Sequence, residues 1–178
     1  EYFELSSKFN NLDALIALAS FYEYGIGVEK NYTKAKEYFT IASKLGDSRG
    51  FYGLGFYYLN GFGVQKNIFK AKDFFEESAK LGNSEAQLVL GNLYFDGQGC
   101  NIDYKKAKEY YKSAAKQNNS KAQFMLGNLY YNGYGTKKKL SKALNYFGLS
   151  AKQNYPDALL YLGDFYLFGI GVRRDYLK

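Results

Sequence analysis

Residues 86–115 read AQLVLGNLYFDGQGCNIDYKKAKEYYKSAA, and this stretch decides the fold. Ala86, Leu90 and Tyr94 stand at i, i+4 and i+8, which is one face of an α-helix. Ala107, Tyr110, Tyr111 and Ala114 stand at i, i+3, i+4 and i+7, again one helical face. Between them Gly97-Gln98-Gly99 supplies residues that reach backbone conformations closed to side-chain-bearing residues. The stretch is two amphipathic helices, A and B, joined by a glycine turn.

Working outward, the same pattern recurs. Glycine pairs stand at Gly25 and Gly27, Gly61 and Gly63, Gly97 and Gly99, Gly133 and Gly135, and Gly169 and Gly171, at a constant interval of 36 residues. All ten are expected to serve as turn residues between the helices of a repeat. Ala14, Gly50, Ala86, Ala122 and Ala158 form a small column, and Leu18, Leu54, Leu90, Leu126 and Leu162 an apolar one. Tyr22, Tyr58, Tyr94 and Tyr130 recur, as do Lys-Ala steps and the aromatic pairs Tyr38-Phe39, Phe74-Phe75, Tyr110-Tyr111 and Tyr146-Phe147. Helix A is predicted over about 12–24 and helix B over about 32–45, with their copies. Small columns mark seams where two helices approach to about 8 Å.

The punctuation agrees with this division. Gly46, Gly82, Asn118 and Asn154 follow helix B, where a left-handed residue ends a helix. Asp47, Asn83 and Asn119 can cap the next helix A, Pro156 suits a first helical position, and Asn31, Asn67 and Asp103 can cap helix B. Lys139 holds the equivalent place and cannot cap, so that helix is expected to start frayed. The expected organisation is one solenoid over 1–178: a trailing helix B at 1–10, repeats at 11–46, 47–82, 83–118 and 119–154, and a partial repeat at 155–178. Without an initiator Met and with both ends inside a repeat, the chain reads as a window on a longer stack.

Composition narrows the function. The net charge is +7, yet among 24 Lys and Arg only Arg49, Arg173 and Arg174 are Arg. Arg is the usual bidentate phosphate reader, so the balance points to a lysine-solvated surface rather than to nucleic acid. Lys105, Lys106, Lys108, Lys112, Lys116, Lys137, Lys138 and Lys139 fall on helix B and the loops, as a solvated face would. An acidic partner on that face is the alternative. No run of about 18 apolar residues is present, so no membrane insertion is expected. The absence of His removes the commonest general base and metal ligand. Cys100 replaces Val28, Val64 and Val172 in its column and reads as a small apolar substitute. The Gly-x-Gly pairs lack the strand and acidic residue of a dinucleotide site. No enzyme, cofactor or metal is expected. A single cysteine fits a reducing compartment, while the missing N-terminus leaves secretion open.

The pattern Ala-x-x-x-Leu-Gly-x-x-Tyr-x-x-Gly-x-Gly, then Lys-Ala, a paired aromatic and paired small residues, resembles the Sel1-like repeat, itself similar to the tetratricopeptide repeat. The resemblance implies an all-α fold, a right-handed α/α superhelix of antiparallel helix pairs, and an adaptor that binds a peptide or protein. Tyr38, Phe74, Tyr110 and Tyr146 replace a Trp common in the family. Cysteine-rich secreted members staple each repeat; the matching positions look like Ser43, Ala79, Ala115 and Ala151 facing Phe51, Gln87, Gln123 and Leu159, none of them Cys. The wall-peptide or β-lactam binding of those members therefore stands last among the alternatives.

In such stacks helix A lines the concave face. Three columns border its buried side: Ser20, Phe56, Asn92, Asn128, Asp164; Tyr24, Asn60, Asp96, Asn132, Phe168; and Ala17, Gly53, Val89, Met125, Tyr161. Amides both donate to and accept from a main chain, which suits a bound peptide. Asp96 and Asp164 favour a basic segment, and Tyr24, Phe56, Tyr161 and Phe168 are candidate anchors. The expected partner site is thus Tyr24, Phe56, Asn60, Asn92, Asp96, Asn128, Asn132, Tyr161, Asp164 and Phe168. An inhibitor or immunity-type protein masking an enzyme is the second reading.

Overall fold

A computed structural model describes residues 2–171. The truncated helix B expected at the C-terminal end, with Arg173 and Arg174, lies outside the described residues. Among the described residues the regular structure is all helical, without strand. Contacts divide the chain into two compact units, 1–86 and 87–178, with the boundary inside one helix.

Unit 1 holds α1 (Tyr2–Lys8), α2 (Leu12–Tyr24), α3 (Tyr32–Lys44), α4 (Ser48–Asn60), α5 (Ile68–Lys80) and the start of α6 (Ser84–Asp96). Neighbours run antiparallel: the Ser78 hydroxyl near the end of α5 donates to the Ser48 carbonyl at the start of α4 at 2.6 Å. Ala19, Ala35, Phe39, Leu54 and Tyr57 form its core. The small columns are seams, as expected. A Cβ on Gly50 would lie 2.5 Å from the Ser43 backbone nitrogen, and one on Gly55 2.7 Å from the Phe75 ring.

Unit 2 holds the rest of α6, then α7 (Tyr104–Lys116), α8 (Ser120–Asn132), α9 (Leu140–Ala151) and α10 (Pro156–Phe168). Ser150 donates to the Ser120 carbonyl at 2.7 Å, the same antiparallel bond one unit on. Tyr111 and Phe147 are wholly buried against Gly91 and Gly127. Where the family resemblance places a disulfide, the buried Gln123 amide donates to the Ala115 carbonyl at 3.3 Å.

The caps follow the sequence reading. Asp47, Asn83 and Asn119, joined by Asn11, accept from the first turns of the A helices at 2.8–3.0 Å. Asn31, Asn67 and Asp103 do the same for the B helices at 3.0 Å. Gly46, Gly82, Asn118 and Asn154 all take positive φ. A backbone bond closes each A-to-B loop: the N–H of Asn31, Asn67, Asp103 and Lys139 donates to the carbonyl of Tyr22, Tyr58, Tyr94 and Tyr130 at 2.8 Å.

The paired glycines all take positive φ, and some of them make close contacts besides. The first of each pair ends helix A and is half-buried. The second stands further out: Gly27, Gly63 and Gly171 are exposed, and Gly99 and Gly135 are half-buried. The exposed ones are not all free of neighbours. A Cβ on Gly63 would lie 3.1 Å from that of Tyr32, and one on Gly171 3.1 Å from that of Leu140. Tyr32 and Leu140 each begin the helix B of the preceding repeat. At these positions the second glycine is a contact between repeats as well as a turn.

Lys139 has no side-chain cap bond, yet its φ of −142° and ψ of 89° equal those of Asp103. The backbone is already set for a cap that the side chain cannot supply. Lys139→Asn is expected to stabilise the protein by about 0.5–2 kcal/mol. The check is the urea midpoint at unchanged slope; a midpoint that stays or falls contradicts this account.

Candidate functional site

The exposed borders of the A helices carry the predicted partner-binding residues. In unit 1, Tyr24 is 68% exposed at the end of α2, and Phe56 and Asn60 are exposed on α4. The Asn60 amide donates to the Phe56 carbonyl at 2.8 Å, one turn back on its own helix. Phe56 sits 5.9 Å from the Phe62 ring and 6.5 Å from Tyr52. Between α2 and α4 opens a pocket of about 280 Å³. Ile16, Gly53 and Phe39 give it apolar surface, while Glu23, Tyr24, Tyr52, Phe56, Arg49 and Tyr57 bring rings and charge.

Arg49 is held on two sides. Its guanidinium bonds Asp13 at 2.7 Å and Asp47 at 2.6 Å. Burial pushes the Asp47 carboxyl up, but hydrogen bonds from the Arg49 side chain and backbone outweigh it and hold the carboxyl below the usual range. Glu23 goes the other way: burial raises it, with Lys30 opposing. The Tyr57 hydroxyl is buried and has no hydrogen-bond partner.

In unit 2 the amides are partly spent on the fold. Asn92 is half-buried and accepts from the Tyr111 hydroxyl at 2.8 Å. Burial, then Asp96, pushes that hydroxyl's pKa up. Asn132 is exposed; its amide donates to the Asn128 carbonyl at 3.1 Å and to the Asn128 side-chain oxygen. Tyr161 is half-buried, 5.0 Å from the Phe147 ring and 5.4 Å from Phe124, so it packs as part of the core. Asp96 is exposed, Asp164 half-buried, and Phe168 59% exposed at the end of α10.

The structure thus brings Tyr24 and Phe56 to one pocket, and the sequence reading missed Glu23, Tyr52, Tyr57 and Arg49 beside them. A signal was present. Glu23 is the one charged residue in the column Glu23, Leu59, Phe95, Tyr131, Leu167. Tyr57 carries the one hydroxyl in the column Phe21, Tyr57, Leu93, Leu129, Phe165.

The lysines of the Lys-Ala steps have a structural role. Lys34, Lys70, Lys106 and Lys142 lie 4.3–5.2 Å over the rings of Tyr22, Tyr58, Tyr94 and Tyr130. Those rings stack on Tyr38, Phe74, Tyr110 and Tyr146 at 5.5–5.9 Å. Each repeat closes with a cation laid on an aromatic pair. Cys100 is half-buried, its thiol 3.5 Å from the Leu93 carbonyl. Among the described residues no cluster of His, Cys, Asp and Glu could hold a metal, and no helix is long and apolar enough to cross a membrane.

The family model of the Sel1 repeat matches residues 12–47, 52–83, 84–119, 120–155 and 156–178. No curated protein matches by sequence. Among solved structures, the chain is similar to a protective antigen of uropathogenic Escherichia coli with an SLR fold. The TM-score is 0.91 and the identity 30%, over 98% of this chain and 38% of that one. It is similar also to a Sel1 repeat protein of Oxalobacter formigenes, with TM-score 0.90 and 29% identity, over 94% of this chain and 68% of that one. A third likeness is to an immunity protein of Pseudomonas aeruginosa, with TM-score 0.64 and 26% identity, over 92% of this chain and 61% of that one.

Proposed function

The chain belongs to the Sel1 repeat family, and from that premise we propose that it is a non-catalytic adaptor holding a peptide or protein on the exposed faces of its A helices. Sel1 repeat proteins are interaction scaffolds that bind protein partners. The observation that carries the reading is the pair Tyr24 and Phe168, exposed by 68% and 59% at the ends of α2 and α10. Interface hot spots are enriched in aromatic anchors, surrounded by near-neutral contacts that exclude water. In unit 1 Asn60 is exposed and Phe56 adds a second ring; in unit 2 Asp96 and Asn132 are exposed, and Asn92, Asn128 and Asp164 are half-buried. Tyr161 is half-buried and packs against the core rings.

The test is affinity capture from the source cell with the full-length protein, then binding measurements on variants of the recovered partner's complex. Tyr24→Ala and Phe168→Ala are each expected to weaken binding about tenfold or more, as loss of a hot spot does. Lys105→Glu on the exposed side of α7 is expected to leave it unchanged. Full affinity in both aromatic variants, with loss in Lys105→Glu, would move the site to the B helices.

A second reading is favoured by the likeness to the Pseudomonas aeruginosa immunity protein. In it the partner is an enzyme and the bound complex is inactive. Assay of the captured partner with and without the chain separates a mask from an adaptor.

A further inference from the structure

The pocket between α2 and α4 contains polar chemistry that the fold leaves idle. Tyr57 lines it, is 0% exposed, and its hydroxyl has no partner. A buried hydroxyl without a partner costs about 1–3 kcal/mol. Packing does not require it: Leu93 and Leu129 fill the same place in unit 2 and are likewise buried. After burial itself, the groups that push this hydroxyl's pKa up are Glu23, Tyr32 and Tyr24, and two of these three line the pocket.

Around the pocket the carboxylates Glu23, Glu85, Asp13 and Asp47 outnumber the cations Arg49 and Lys30, although the chain is basic. Tyr52 is pushed up by burial and then by Glu85, Tyr24 and Glu23. Arg49 lines the pocket too, but its guanidinium is bonded to Asp13 and Asp47, two carboxylates for one cation. An anion entering would meet Glu23 and find Arg49 already held. A cation would meet Glu23 and the rings of Tyr24, Tyr52 and Phe56, and an aromatic ring attracts positive charge at its face. A phenol oxygen also accepts from an N–H donor, so an ammonium or guanidinium can use the idle Tyr57 hydroxyl. The volume of about 280 Å³ is at or below the roughly 300–1,000 Å³ typical of small-molecule sites and suits one side chain.

We propose that this pocket seats a lysine or arginine side chain of the partner, with Glu23 as counter-charge, Tyr24, Tyr52 and Phe56 as an aromatic cage, and the Tyr57 hydroxyl as acceptor. The proposal rests on the adaptor reading for the identity of the occupant. It makes the partner segment basic in unit 1, where the predicted contact residues Tyr24 and Phe56 line the same pocket.

The test uses the full chain labelled at isoleucine methyls. Ile16 lines the pocket, and Ile102 and Ile170 lie in the other unit as references. The probes are the Nα-acetyl amides of arginine, lysine, norleucine and glutamate. Arginine or lysine amide is expected to shift the Ile16 methyl saturably, with Ile102 and Ile170 still. Norleucine amide, the uncharged homologue, is expected to bind about tenfold more weakly or worse. Glu23→Gln is expected to lower arginine-amide affinity about fivefold or more. Tyr57→Phe, a ring found at Phe21 and Phe165 in the same column, is expected to lower it less and to leave the fold intact. Any of three results overturns the proposal: a silent Ile16 at tens of millimolar probe, equal or stronger binding of norleucine or glutamate amide, or undiminished binding by Glu23→Gln. These titrations need no partner protein. A negative result removes the cation pocket alone, while Phe168→Ala in the other unit tests the adaptor reading separately.

Discussion

Gly135→Ala is expected to destabilise unit 2 by about 2–5 kcal/mol, from two independent causes. The first is conformational. Gly135 has φ of +61°, where an L side chain costs about 1–2 kcal/mol. The second is close approach. A Cβ there would lie 2.6 Å from the Tyr104 carbonyl carbon and 2.7 Å from its oxygen, at the start of α7. Backbone cannot swing aside as the end of a side chain can, and overpacking of this kind costs about 1–3 kcal/mol. The loop is pinned there, since the Lys108 ammonium donates to the Gly135 carbonyl at 3.0 Å. Gly27 is the control. It shares the column and a φ of +70°, but a Cβ on it meets nothing within 4 Å. Gly27→Ala should therefore cost only the conformational part, about 1–2 kcal/mol. Urea unfolding of both variants decides the matter. Equal losses would mean that the contact with Tyr104 contributes nothing.

Phe75→Ala should cost about 3–5 kcal/mol, and Gly55→Ala about 1–3 kcal/mol, but the two should not add. Phe75 is 0% exposed, and its ring occupies the space that a Cβ on Gly55 would enter, at 2.7 Å. With the ring gone, the methyl group added by Gly55→Ala meets open space, and α4 regains the helix propensity that Gly lacks, about 1 kcal/mol. Gly55→Ala should then turn neutral or stabilising in the Phe75→Ala background. The expected coupling is about 1–3 kcal/mol, read from a double-mutant cycle of unfolding free energies. Strict additivity would show that the ring does not press on α4. A stack of repeats stabilises largely through nearest neighbours, so either change should weaken unit 1 before unit 2. Hydrogen exchange of the two units separates local from global loss.

The candidate site was legible in part. Tyr24, Asn60, Asp96, Asn132 and Phe168 are exposed on A helices, because residues flanking the buried stripe of a helix emerge from its seam. Three positions behave differently for reasons a column cannot show. Asn92 is bonded by Tyr111 because in that repeat the deep aromatic carries a hydroxyl that must find an acceptor. Phe147 occupies the same depth without one, and Asn128 is bonded by Asn132 instead. Tyr161 packs against Phe124 and Phe147, two rings from neighbouring helices that periodicity does not bring together on paper. The pocket between α2 and α4 was invisible for the same reason. Its walls come from α2, α3 and α4, at positions belonging to different columns.

The sequence by itself determined the helices, their ends and their order. Those features depend on a few neighbouring residues: an Asn or Asp that caps within three positions, a glycine that takes positive φ, an apolar face repeating at helical spacing. The interval of 36 residues then made these local readings three to five times over. Only the tertiary structure decided what more the second glycine of a pair does. As a turn residue it would need merely a left-handed backbone. Gly63 and Gly171, though exposed, come close to the first residue of the preceding helix B, and Gly135 lies against the start of α7, where even a methyl group is too large. Only the tertiary structure, likewise, left the Tyr57 hydroxyl without a partner beside Glu23. Such facts depend on distances between residues some 30 apart in the chain, and those distances are set by how helix packs on helix.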